Sequence, residues 1–437
     1  MNTDMIKNFP GPDNILRKQF PNGVTVLIHE NPWSATAAIH GSLFAGSCLA
    51  PEDKTGLVPL LSAVITAGCR SGNFGNISDH LESIGADLSF SSDPHSVTFK
   101  GNCLSEDLPD LLGLLKEILD GPVFPGNYLE ALRQRVLGGY DLNMDDSETA
   151  ARRRLREILF GEDHPYGRQE FGSCDVIRSI IRADLVDFHR RFFGPKKMIL
   201  AIAGGFRGQE IMDRCAEIFG SWEKAQEDAD EDALFPQVER WEECVRSHID
   251  VRDKTYISLI IGTQGPAVND PDILPARIGN TILGEFGLGG RVGRAVRVER
   301  GLAYSVFSSV EAWKKGGCWS VAADVDPADL CTAGDLIIDE LKRFTAEPVS
   351  QQELEDAKNW YIGSLPRHFR NNALKASALH QLAFHQKDPD YYLRLPSRAA
   401  SLTPETILET ARRWIYPNAL IICTSGLRDE SKREGWW

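Results

Sequence analysis

The chain has 437 residues, 42% of them hydrophobic and 25% charged, and its 48 Lys+Arg against 62 Asp+Glu leave a formal net charge of −14. That length allows two or three domains with sizeable cores, the composition excludes wholesale disorder, and so acidic a surface disfavours nucleic acid as the main partner. No apolar run reaches the roughly 20 residues that span a bilayer, Met1 to Phe9 has no basic patch before an apolar stretch, and the nine scattered Cys contain no C-x-x-C. A soluble cytoplasmic protein with reduced thiols and no membrane partner is the expectation.

In chain order, residues 95–103 (HSVTFKGNC) read as a strand and 111–119 (LLGLLKEIL) as a helix. Pro122-Val123 then precedes a second helix at 128–143 (YLEALRQRVLGGYDLN). Arg190-Arg191-Phe192-Phe193-Gly194-Pro195 ends an amphipathic helix in a Pro-marked turn, and a strand from Met198 closes on Gly204. The stretch 222–243 (WEKAQEDADEDALFPQVERWEE) is acidic and nearly free of β-branched residues, as an exposed linker would be.

Beyond it the same elements return. A strand at 317–325 and a helix at 333–344 precede Pro348-Val349 and a helix from Glu353. Arg412-Arg413-Trp414-Ile415-Tyr416-Pro417 leads into a strand closing on Gly426, at an offset of 222 from its first copy, while the Pro-Val pair repeats at 226. Four matched elements in one order indicate two homologous halves of about 220 residues. The domains expected are 1–221, a linker at 222–243, and 244–437. Strands that alternate with long helices, some of them consecutive, point to an α+β fold in which each half is a mostly antiparallel mixed sheet with helices packed on one face.

Several strings resemble the pitrilysin, insulinase and mitochondrial processing peptidase family of zinc peptidases. Phe20-Pro-Asn-Gly-Val-Thr-Val-Leu is similar to that family's first strand, and Thr55-Gly56-Leu57 with the apolar residues after it sits where the family has its G-L-x-H-x-x-E-H helix. Leu81 to Ala86, Asp145-Asp146-Ser147 and His164-Pro165-Tyr166-Gly167 fall in the family's order, and residues 283–306 (LGEFGLGGRVGRAVRVERGLAYSV) resemble its Gly-rich turn followed by L-R-E-x-x-G-L-A-Y-S. The resemblance spans nearly the whole chain and implies two halves enclosing a chamber.

The family's inverted motif H-x-x-E-H places two His at i and i+4 on one helical face to share a zinc ion, with Glu at i+3 reaching the bound water. Here Pro59 and Ala63 stand at the His positions and Ser62 at that of the base. The distal Glu, about seventy-five residues on in the family, maps to Gly139. Pro and Ala offer no donor, Gly has no side chain, and Ser is a poor ligand, so this half is not expected to bind catalytic zinc. The ten His form no H-E-x-x-H and no Cys/His cluster, and the closest pair, His380 and His385, is five apart.

By the same resemblance, Arg297 and Tyr304 occupy the positions of an Arg/Tyr pair that binds the substrate backbone and holds the developing oxyanion, work suited to a guanidinium and a phenol. As bare residues they read more readily as an ordinary surface ion pair and a half-buried strand aromatic, and Arg294, Glu299 and Arg300 read as a solvated helix face. Gly287, Gly289 and Gly290 lie in a Gly-rich turn that lacks G-K-[ST] and fits a close-approach turn better than a phosphate loop. Ser89 and Phe90 stand on an edge strand where active relatives bind peptide and usually carry Asn-Ala.

An emptied zinc half beside an intact Arg/Tyr half resembles the non-catalytic subunit of a heterodimeric metallopeptidase, inactive alone. A homologous H-x-x-E-H partner subunit would carry the zinc, this chain would bind no cofactor, and short unfolded peptides would be the substrates. The alternative is a catalytically inert peptide-binding or scaffold protein of the same fold, with a homodimer in the partner's absence. A hydrolase with a new nucleophile finds no G-x-S-x-G or Cys/His arrangement to support it.

Overall fold

A computed structural model describes residues 9–427 apart from 71, 145, 170, 225, 252 and 253. Residues 1–8 and Asp145, both used in reading the sequence, lie outside the described residues. The chain forms two compact units, neither continuous in sequence. The first takes in the residues up to 138, 169–234 and 364–394, and the second takes 139–168, 235–363 and those from 395 onward.

The sheet of the first unit is built from β1 (Ile15–Gln19), β2 (Thr25–Glu30), β3 (Thr36–Leu43), β6 (Asp87–Ser92), β7 (Val97–Leu104) and β8 (Ile199–Gly204), in the order β1-β2-β8-β3-β7-β6; β4 (Gly68–Cys69) and β5 (Gly72–Asn73) form a separate two-residue pair. Every pair in the sheet is antiparallel except β2 with β8, where Thr25 stands opposite Ile199. Edge strand β6 alternates exposed and half-buried residues, whereas β3 and β8 in the middle are buried almost throughout. That contrast follows position in the sheet: central strands are covered on both faces and read as continuous apolar runs.

The second unit repeats the plan with β9 (Val245–Asp250), β10 (Ile257–Gly265), β11 (Ala303–Ala312), β12 (Gly317–Val325) and β13 (Ile421–Gly426). Read from its β9 edge, the order β9-β13-β10-β12-β11 reproduces β2-β8-β3-β7-β6, and the parallel pair falls in the same place, Val245 opposite Ile421. Five of the six strands of the first sheet thus have a counterpart in the same order in the second, and β1 has none.

Two helices sit with the sheet of the other half. The Ser147–Phe160 helix packs on β10 and β13, burying Ala151, Leu155 and Leu159 against Ile260, Cys318, Ile421 and Cys423. Its counterpart, Asn372–Phe384, packs on β3 and β8, with Leu379 against Leu27 and Ala201 and Ala376 against Ala38 and Ala203. The alanines let the helix axis approach the sheet closely, and each fully buried Leu contributes about 1.5–3 kcal/mol. Both helices start on a side-chain cap one residue upstream, Asp146 accepting from Thr149 N–H and Asn371 from Leu374 N–H. The boundaries expected at 221 and 244 come from the sequence repeat; the compact units cut across them, each taking one of these helices from the other half.

The acidic stretch is pinned rather than free. In the first unit Trp222 is buried, donates to Asp120 Oδ1 at 2.9 Å and lies 4.7 Å beneath the Lys116 ammonium, and Glu231 meets His95 Nδ1 at 2.9 Å. In the second unit Phe235 is buried 5.1 Å from the Tyr166 ring.

Candidate functional site

The Leu57–Val64 helix holds three of the four positions that would have to bind zinc. It opens on Gly56 at φ 98°, where an added Cβ would lie 2.4 Å from the Phe171 carbonyl oxygen, so the left-handed turn and the tight passage both call for glycine. Pro59 falls in the first helical turn, where a missing N–H costs nothing because those groups have no intrahelical acceptor. Seven of the eight residues are buried, Ala63 alone being exposed. Ser62 is buried with its Oγ lacking any hydrogen-bond partner among the described residues. Gly139, at the fourth position, lies on the Gly126–Met144 helix with nothing within 4 Å of an added Cβ. This donor set does not fit zinc: no imidazole, thiolate or carboxylate stands at any of the four positions. Among the described residues no group of three or more His, Cys, Asp or Glu is placed to hold a metal ion.

The other candidate residues lie together in the second unit. The Ile273–Asn280 helix runs through a wider helical turn, Thr281–Glu285, into the Gly-rich segment and a short helix beginning at Arg291. Close packing explains the glycines. An added Cβ on Gly293 would stand 1.8 Å from the Gly287 carbonyl oxygen, and one on Gly290 2.5 Å from Gly284 Cα. Gly284 itself lies against β11, a Cβ there reaching to 3.0 Å from Ser308 N. The turn therefore covers part of an edge strand, and its glycines are accounted for by packing within the turn and against β11.

Arg291 anchors this turn. Its guanidinium makes a two-pronged pair with Glu353 at 2.8 and 2.9 Å, with Glu340 3.8 Å away, and it sits 5.6 Å from the Phe344 ring. Hydrogen bonds from Arg291, ahead of those from Ser350, hold the Glu353 carboxyl down at about 2. From that anchor the backbone runs through a π-type turn, Arg294–Val298. It reverses at Gly301 (φ 66°), with Gly301 N–H donating to the Arg297 carbonyl and Leu302 N–H to that of Val296.

The reversal brings Arg297 and Tyr304 together. The pairing of β11 with β12 slips between Ala303 and Ser305, so Tyr304 has no partner across the ladder and is 84% exposed. The bulge is fixed from behind by Asp324, whose two oxygens accept from Ser305 and Ser258 at 2.7 Å each. Arg297 Cζ lies 5.9 Å from the Tyr304 ring centroid, at cation–π distance, and Arg297 is exposed with no ion pair among the described residues. A phenol and a guanidinium thus stand side by side, donors outward, on a rigidly backed turn.

Other motifs resolve as structural. In His164-Pro165-Tyr166-Gly167, His164 Nδ1 accepts from Tyr166 N–H at 3.0 Å and Nε2 donates to the Pro236 carbonyl at 3.2 Å. Tyr166 packs 5.0 Å from Trp313, and a Cβ on Gly167 would collide with the Gly161 carbonyl at 2.0 Å. In the first unit β6 is indeed an edge strand; Phe90 turns to the Phe99 ring at 6.1 Å and Ser89 is exposed. His40 and His380 stack at 4.4 Å, and His380 Nε2 is hydrogen-bonded to Ser42 Oγ at 2.8 Å. Burial holds His40 down at about 4 and His380 well below the ordinary imidazole value. No local pattern announces this pair, whose members are 340 residues apart, or the pairing of Arg291 with Glu353; the three-residue spacing of Arg291, Arg294, Arg297 and Arg300 was the one available signal.

Two family models match most of the chain between them, the insulinase peptidase family M16 over residues 25–167 and the peptidase M16 inactive domain over 179–361. An uncharacterized zinc protease of Mycobacterium bovis is 26% identical over 83% of this chain and 82% of its own. The mitochondrial-processing peptidase subunit beta of Neurospora crassa is 23% identical over 77% and 72%, and the non-peptidase homolog YmxG of Helicobacter pylori 23% over 81% and 80%. Among solved structures, a peptidase M16 inactive domain from Pseudomonas fluorescens superposes with a TM-score of 0.86 at 22% identity, covering 95% of this chain and 98% of that one. A protease from Helicobacter pylori superposes at 0.84 and 15% identity, with 94% and 99% coverage. With its strand order duplicated, its zinc positions donorless and both models matched in sequence order, the chain belongs to the insulinase-type peptidase family M16, as a member with an inactive zinc motif.

Proposed function

We propose that this chain is the non-catalytic subunit of a heterodimeric zinc metallopeptidase. Arg297 and Tyr304 bind the peptide backbone and stabilise the oxyanion in the active site of a homologous H-x-x-E-H subunit, which carries the zinc and the general base. The observation that carries the proposal is the pairing of two opposites: the positions for zinc hold Pro59, Ser62, Ala63 and Gly139, while Arg297 and Tyr304 stand exposed and adjacent with their donors unused. Neither side chain has a packing role that would explain it, and outward-facing fixed donors are what a developing negative charge requires. A scaffold has no need of them.

The test begins with affinity capture of the chain from its native host, reading companion identity and zinc content together. The expected result is a companion of similar size with H-x-x-E-H and about one zinc per heterodimer. In that complex Arg297→Ala and Tyr304→Phe should each lower turnover by about 10²–10³, the usual cost of losing an oxyanion donor, with the complex intact. A zinc-free homodimer without such a companion, or turnover indifferent to Arg297, leaves the inert peptide-binding or scaffold role in its place.

A further inference from the structure

Around Arg297 and Tyr304 the surface is unusual for an acidic chain. Of the seven exposed large apolar side chains described in the second unit, four fall between residues 286 and 304: Phe286, Leu288, Val298 and Tyr304, at 41, 50, 60 and 84% exposure. They lie on adjoining segments. The Gly287–Gly289 turn abuts both the Arg294–Val298 turn and β11, a Cβ on Gly293 would stand 3.0 Å from Leu288 Cα, and Phe286 leans edge-on against Trp360 at 4.8 Å. Scattered exposed apolar residues need no explanation, but a cluster mixing Tyr, Phe and Arg has the composition of a binding surface.

The charge around the cluster is positive. Arg294, Arg297 and Arg300 are exposed and form no ion pair among the described residues, and the carboxylates among residues 285–304 are Glu285, beside Phe286, and Glu299. Three guanidinium groups against two carboxylates leave one net positive charge here, in a chain whose net charge is −14. The distant negative charge is screened beyond about 8–10 Å at physiological salt, so the local guanidinium groups decide which segment settles here. Arg291, which could have added to them, is neutralised by Glu353.

Resting on the subunit role given above, we propose that Phe286, Leu288 and Val298, flanked by Arg294 and Arg300 beside Tyr304, dock an extended peptide segment in which apolar side chains alternate with carboxylates. The chemistry on each side matches: apolar residues enter the cluster, carboxylates meet the guanidinium groups, and the backbone faces the Arg297 and Tyr304 donors. The preferred substrates of the complex are then acidic peptides, selected by this subunit.

The experiment uses the full chain and three labelled ten-residue peptides of alternating Leu with Glu, Gln or Lys, with binding followed by fluorescence anisotropy. At low salt the Glu peptide is expected to bind about fivefold or more tighter than the Gln peptide, as two or three exposed charge pairs allow, and the Lys peptide weakest. Arg294→Gln with Arg300→Gln, leaving Arg297 untouched, should bring Glu and Gln within about twofold, as should high salt, while Val298→Asp should abolish binding of all three. Equal binding of Glu and Gln peptides, a preference for Lys, or a preference that survives the double substitution overturns the proposal. Each of those outcomes leaves the subunit role standing, since that role is decided separately by turnover of the Arg297 variant in the complex. Binding of none of the three overturns the docking site itself.

Discussion

Lowering the pH from about 7.5 to about 5.5 is expected to take most of the stability from the first unit, because its core holds four buried imidazoles. His29 on β2, His40 on β3 and His189 on the Arg182–Phe192 helix are held down at about 4, chiefly by burial, and His380 on the Asn372–Phe384 helix lies well below 6.5 for the same reason. The groups beside them add little relief. Ser42, Lys100, Lys375 and His385 surround the first cluster, while Lys224, Asp120 and the Leu119 carbonyl surround His189. All four values are depressed, so the unfolded chain takes up protons first. Stability is complete above the unfolded value of about 6.5 and is lost as the pH falls toward 4.

At about pH 5.5, one unit below the unfolded value, each imidazole removes about 1.4 kcal/mol, and four remove about 5–6 kcal/mol, comparable with the whole stability of an ordinary domain. Other shifted groups leave this window clear. Glu353, held at about 2, acts only below its unfolded value near 4.5, and Lys224, lowered to about 8, has its full effect at every pH below that. Urea unfolding at the two pH values, with hydrogen exchange read over residues 372–384, measures the loss. His40→Gln with His380→Gln removes two of the four groups and should halve the pH dependence. A change below about 1.5 kcal/mol between the two pH values, or one untouched by that double substitution, would refute the reasoning.

Three substitutions test the local geometry. Gly293→Ala should cost about 1–3 kcal/mol and loosen residues 286–304 in hydrogen exchange, because its Cβ lies 1.8 Å from the Gly287 carbonyl oxygen; unchanged stability would show the turn is not tightly packed. Gly139→Ala, with open space around its Cβ in mid-helix, should instead add about 0.5–1 kcal/mol, and a loss there would mean the position carries a duty the structure does not reveal. Ser62→Ala removes a buried hydroxyl that has no partner and should be neutral or stabilising by up to about 1 kcal/mol in urea unfolding; clear destabilisation would mean that the hydroxyl is bonded.

What was legible in the sequence was local. Strand and helix periods, the Pro-marked turns at Pro195 and Pro417, and the strand ends at Gly204 and Gly426 all lie within a few residues of the structure they specify, whereas the order of the strands within each sheet is seen only in the fold. The loss of zinc donors was legible for the same reason, since Pro59, Ser62 and Ala63 share one helix. What escaped depends on residues far apart. Nothing near Asp146 or Asn371, the caps of the two exchanged helices, says which sheet the helix will cover, because both sheets offer an apolar face of similar shape. The His40–His380 stack and the Arg291–Glu353 pair join positions whose spacing carries no period. The acidic stretch read as a tether because charge dominates its composition, yet buried Trp222 and Phe235, with the Glu231–His95 contact, fasten it.

The two candidate sites differ in what holds them in the protein. The Leu57–Val64 helix buries seven of its eight residues and packs against β6, so its apolar positions persist for the fold's sake whether or not any metal chemistry is present. Replacing His, Glu and His by Pro, Ser and Ala on such a helix removes polar groups from a largely buried element, which is neutral or favourable for stability apart from the orphaned Ser62 hydroxyl. Arg297 and Tyr304 stand under the opposite condition. Arg297 is exposed with no ion pair among the described residues and Tyr304 is 84% exposed on a bulge, so together they return little folding energy, while the turn that holds them demands several glycines and a half-buried Arg291–Glu353 pair. An elaborate support for two side chains that return so little to the fold is intelligible if those side chains act on something outside the chain, and this is the physical argument behind the proposal that the chain works through Arg297 and Tyr304.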